Sequence, residues 1–152
     1  MKPITLTLVA FLCVSSFAIA QSGLEGTWKG TMTVGGLESK KTVPFELFLQ
    51  QKGAKIEGRS YIYLEDKTVI EMEVKGSLFG DLSIYLKETD YIEDPTSDYQ
   101  PEFNRKYQLL YKPSIWNTKM EGYWQELTDH HFSEKRRLGM VRLKKMKDKK
   151  RA

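Results

Sequence analysis

The stretch Leu24-Glu25-Gly26-Thr27-Trp28-Lys29-Gly30-Thr31-Met32-Thr33-Val34 decides the fold class. Its even positions are apolar or glycine, while its odd positions are Glu, Thr and Lys. Successive side chains leave a strand on opposite sides, so a period of two marks a strand with one buried face and one wet face. Gly35-Gly36 follows as a turn.

The same alternation recurs downstream. Val43, Phe45, Leu47 and Leu49 interleave with polar residues, and Lys52-Gly53 turns the chain. Ile56, Gly58, Ser60, Ile62 and Leu64 form a third run, Ile70, Met72 and Val74 a fourth, and Leu82, Ile84 and Leu86 a fifth. Further strands are expected around Lys106–Lys112, Lys119–Leu127 and Arg137–Leu143. No segment carries a 3.6-residue stripe. Many short, evenly spaced strands with mostly short links predict an all-β domain, an up-and-down antiparallel barrel of about eight strands. Closure removes the bare edges that an open sheet would expose.

One connection breaks the rhythm. Residues 89–103 hold Pro95, Pro101 and the acids Asp90, Glu93, Asp94, Asp98 and Glu102. Long loops in compact domains are lids or solvated slack, and both readings stand for this acidic loop.

Upstream, Lys2, the apolar run from Ile4 to Val14 and Ala18-Ile19-Ala20 match the three parts of a secretory signal peptide. Cleavage is expected after Ala20, because the apolar run is shorter than the roughly 20 residues of a spanning helix. The expected organisation is a signal peptide at 1–20, a barrel domain at 21–143 and a basic tail at 144–152. Cys13 lies within the leader, so the exported chain would carry no thiol and rely on its core alone. With no Asn-x-Ser/Thr sequon either, the expected location is secreted or periplasmic. The formal charge of +4 is uneven: seven basic residues and one acid, Asp148, fall between Arg142 and Arg151. Such a block is either a contact for anionic lipid or nucleic acid or a solvated terminus. The second reading is preferred, with neither nucleic acid nor stable membrane insertion expected.

Gly26-Thr27-Trp28, on a first strand leading into a meander of eight, resembles the calycin superfamily of lipocalins, fatty-acid-binding proteins and avidins. The resemblance implies that Trp28 closes one end of the barrel beneath a basic side chain from the last strand. Arg142 is the expected partner, in phase with Leu138 and Met140. The Thr-Asp-x-x-Tyr motif, the disulfides and the flanking helix of lipocalins have no counterpart. Gly122-Tyr123-Trp124 echoes the first motif, and both glycines mark a bend or a close strand approach.

Catalytic signals are weak. His130 and His131, adjacent, would point to opposite faces of a strand and cannot chelate one metal together. Asp94 and Asp98 match no calcium loop. Glu71 and Glu73 share a wet face with Lys75; Glu126, in phase with Met120, Gly122 and Trp124, points toward a rim. Tyr61, Tyr63, Tyr85 and Tyr123 fall on the outward phase, where tyrosine suits half-wet contacts. An enzyme using Glu126, Tyr107 or a histidine ranks last; no cofactor, metal or catalytic residue is expected.

The leading expectation is a non-enzymatic binding protein with a small apolar or amphipathic ligand in the barrel. Its candidate lining is Trp28, Phe45, Leu47, Ile84, Tyr107, Tyr111 and Trp124. The alternative is a solid barrel acting through its outer surface on an envelope or protein partner. Eight-stranded barrels are just wide enough to be filled or to hold one small ligand.

Overall fold

The computed structural model describes residues 23–128 and 136–147, which form eight strands. These are β1 (Gly26–Thr33), β2 (Thr42–Lys52), β3 (Lys55–Tyr63), β4 (Val69–Leu78), β5 (Ser83–Tyr91), β6 (Arg105–Lys112), β7 (Lys119–Glu126) and β8 (Leu138–Lys145). Each pairs antiparallel with its neighbour in sequence, and β8 returns to β1 to close an up-and-down barrel. The expected all-β barrel is therefore the fold.

Alternation sorts the side chains. Trp28, Phe45, Leu47, Ile62, Met72, Ile84, Tyr107 and Leu143 point inward and are buried. Lys29, Arg59, Lys75 and Lys87 lie on the outer, polar face, as do Tyr61, Tyr63, Tyr85 and the half-exposed Tyr123. Short turns are fastened by Asx-type bonds: Asp66 accepts from the Thr68 amide at 2.9 Å, and Asp81 from the Ser83 amide at 3.0 Å. Gly26 carries φ +114°, a bend at the start of β1. Gly122 lies so close to β6 that an added Cβ would sit 2.1 Å from the Gln108 carbonyl oxygen.

The last strand corrects one expectation. Gly139, Val141 and Leu143 face inward, and Arg142 is exposed on the outer side. Apolar residues occupy both phases of β8, so alternation alone was ambiguous; the register Trp28 to Lys145 decides it. Lys145, not Arg142, lies by Trp28. β8 also runs on through Lys144 and Lys145, two residues past the expected Leu143.

A register shift separates Met72 from Val74 in the β4–β5 pairing: Val74 faces Glu88, but Met72 faces Tyr91. The extra residue is on β5. It turns Asp90 to solvent and brings Tyr91 into the inward place that alternation would have given Asp90.

Candidate functional site

The two ends of the barrel differ. At the end where the described chain begins, Trp28 forms a plug. Its indole nitrogen donates to the Leu24 carbonyl at 2.8 Å, and Tyr111 meets its ring edge-on at 5.9 Å. The Lys145 ammonium lies 6.0 Å from the ring centroid and donates to the Gly23 carbonyl. Above this plug the middle is filled by apolar side chains, with Phe45 and Tyr107 stacked at 5.4 Å.

A polar group is set into that apolar middle. Glu88 is fully buried and continues the inward phase of Ile84 and Leu86. It accepts from the Ser60 hydroxyl (3.1 Å), the Tyr107 hydroxyl (2.5 Å), the Arg105 amide (2.7 Å) and the Arg105 guanidinium (3.4 Å). Arg105 begins β6 one step beyond the last β5–β6 partners, Lys87 and Lys106, which sets it beside Glu88. A buried pair of this kind holds only while each charge has the other, since an unpaired charge there is strongly destabilising. Burial first, and the Glu88 charge second, push the Tyr107 hydroxyl well above its ordinary value.

The opposite end is open. A cavity of about 610 Å³ is bounded by Val34, Gly35, Gly36, Leu64, Ile70, Tyr99, Glu102, Phe103, Arg105, Trp124, Arg136, Arg137 and Leu138. Arg105 forms its floor. Its Nε is buried and has no hydrogen-bond partner among the described residues, an uncommon state for a buried donor. Phe103 and Trp124 lie nearly parallel, 6.4 Å apart, with the Arg105 guanidinium 4.5 Å from the Phe103 ring. Trp124 is fixed by donation to the Thr33 carbonyl at 2.8 Å.

The acidic loop supplies one wall. Tyr91 donates to the Tyr99 carbonyl at 2.9 Å, and Glu102 pairs with Arg137 at 2.7 Å. Glu126 stands at the rim, accepting from the Arg137 amide at 3.2 Å. Asp94 spends one carboxylate oxygen on the Thr96 amide and hydroxyl; these bonds hold its pKa below the usual carboxylate range. Among the described residues no cluster of His, Cys, Asp or Glu could hold a metal ion. His130 and His131 lie outside those residues.

Of the seven candidate lining residues, Trp124 borders the cavity. Phe45, Leu47, Ile84 and Tyr107 lie deeper in the packed middle, and Trp28 and Tyr111 at the plugged end. Arg105, Phe103, Tyr99 and Glu88 were not singled out from the sequence. The signal was there for two of them: Glu88 and Arg105 are charged residues on the inward phase of neighbouring strands.

No family model, curated protein or solved structure matches the chain.

Proposed function

We propose that this chain is an exported, non-enzymatic binding protein that holds one small amphipathic ligand in the mouth of its barrel. The observation that carries the reading is the open cavity of about 610 Å³ at one barrel end, walled by Leu64, Ile70, Phe103 and Trp124 with Arg105 in its lining. That volume is in the range of small-molecule sites, roughly 300–1,000 Å³, which combine apolar walls with a few placed polar groups. The filled middle confines a ligand to the mouth. There its apolar body would lie against Leu64, Ile70, Phe103 and Trp124, and an acceptor head would meet Arg105. Arg136 and Arg137 against Glu102 make the lining net basic, which favours an anionic head. The calycin-like reading agrees: Lys145 near the Trp28 ring supplies the basic partner which that resemblance implies.

The test is titration with 1-anilinonaphthalene-8-sulfonate, an anionic aromatic probe, alongside native mass spectrometry of the protein purified from its producing cells. The expected result is saturable one-to-one probe binding, lost in Leu64→Trp, which fills the mouth without touching the middle. Unchanged binding in the folded Leu64→Trp protein, or no binding at all, overturns the reading.

A further inference from the structure

The plugged end carries a second feature, unconnected with the mouth. The loop from β6 to β7 presents Ile115 and Trp116 to solvent at 91% and 86% exposure. Its polar groups bond to one another within the loop. The Ser114 hydroxyl accepts from the Trp116 and Asn117 amides, and the Thr118 hydroxyl donates to the Ser114 carbonyl at 2.7 Å. The loop is thus a fastened tip with its apolar side chains outside, the reverse of an ordinary polar turn.

Behind the tip the register aligns a row of like charges. Lys112 on β6 faces Lys119 on β7, Lys119 faces Lys144 on β8, and Lys144 faces Lys29 on β1. Like charges directly opposite one another across strands are destabilising. The outer two are compensated, Lys112 by Glu121 and Lys29 by Glu46. Lys119 and Lys144 have no carboxylate within ion-pair distance among the described residues. Met146 and Lys147 follow, both exposed, and the sequence continues through Lys149, Lys150 and Arg151.

We infer that this end is a docking surface for an anionic phospholipid bilayer. Ile115 and Trp116 enter the interfacial layer, and Lys119, Lys144 and Lys147 lie over the headgroups. A convex apolar tip fits a fluid interface that conforms to it, and indole is suited to the headgroup level. Lysines beside it supply the attraction to anionic lipid, and the apolar and electrostatic contributions together hold the surface to the bilayer more firmly than either alone. A nucleic acid would use the lysines but leave Ile115 without a role.

The chain from Gln21 onward contains all eight strands and is the form to test. Large vesicles of phosphatidylcholine with and without phosphatidylglycerol serve as probes. Trp28 and Trp124 are buried, so a change in tryptophan emission reports Trp116. The expected results are a blue shift and co-sedimentation with phosphatidylglycerol vesicles, and little of either with phosphatidylcholine alone. Raising the salt reverses both. Lys119→Gln with Lys144→Gln should weaken binding by about fivefold per lysine removed, and Ile115→Ser with Trp116→Ser should abolish co-sedimentation. Absence of binding to anionic vesicles overturns the inference. So does undiminished binding by either double variant, or use of the same residues for a protein or nucleic acid with no lipid binding.

Discussion

Tyr107 shows how one buried hydroxyl ties stability to pH. It donates to Glu88 inside the barrel, and burial with the Glu88 charge holds its proton well past the ordinary 10.0. In the unfolded chain the same hydroxyl ionises near its ordinary value. Its folded value is raised, so its stabilising contribution is full below the unfolded value and is lost as pH rises toward the folded one. Tyr107→Phe should cost about 1 kcal/mol at neutral pH by leaving Glu88 one donor short. The gap between wild type and variant should then narrow from about pH 9 to about pH 11 in urea unfolding. Parallel stability curves across that range would refute the argument. At this scale the sequence was only half legible. Glu88 and Arg105 stand on inward phases, yet alternation cannot say that two charges on separate strands meet. Only the β5–β6 register does that. Phe103 and Tyr99 were hidden for another reason: they belong to a loop, where no period applies.

At the scale of the strand, alternation located all eight elements because seven of them have one apolar phase and one polar phase. β8 is the exception. Leu138 and Met140 lie on one phase and Val141 and Leu143 on the other, so the buried set follows from pairing with β1 and β7. Glycine placement carries more information than its conformational freedom suggests. Gly122 is where β7 presses onto the β6 backbone, with no room for a methyl group. Gly122→Ala should therefore cost about 3 kcal/mol, the upper end of overpacking penalties, measured by chemical denaturation. A loss within experimental error of zero would show that the strands can part there at no cost. The β5 irregularity has a similar local meaning. Without the extra residue, Asp90 would face the apolar interior, and Tyr91 could not reach over to the Tyr99 carbonyl.

For the whole molecule, the filled middle separates the open end of the barrel from the plugged end. Phe45, Leu47, Ile84 and Tyr107 stand between the mouth and the Trp28 plug. Sites separated by rigid packing with no shared partner behave additively. Leu64→Trp should therefore leave vesicle binding unchanged, and Ile115→Ser with Trp116→Ser should leave probe binding at the mouth unchanged. A shift of more than about twofold in either crossed measurement would show that the ends are coupled. Barrel closure also bears on how the molecule forms. Seven of the eight pairings join consecutive strands, most of them through short turns and the β5–β6 pair through the acidic loop, but the seam joins Trp28 to Lys145 across most of the chain. Contacts so distant in sequence are slow to form, because loop entropy must be spent before they reward it. Until the seam shuts, the nascent sheet is an open ribbon with β1 and β8 as two raw borders. The interval before that one junction forms is when a crowded solution of this protein is most exposed to sheet-to-sheet clumping.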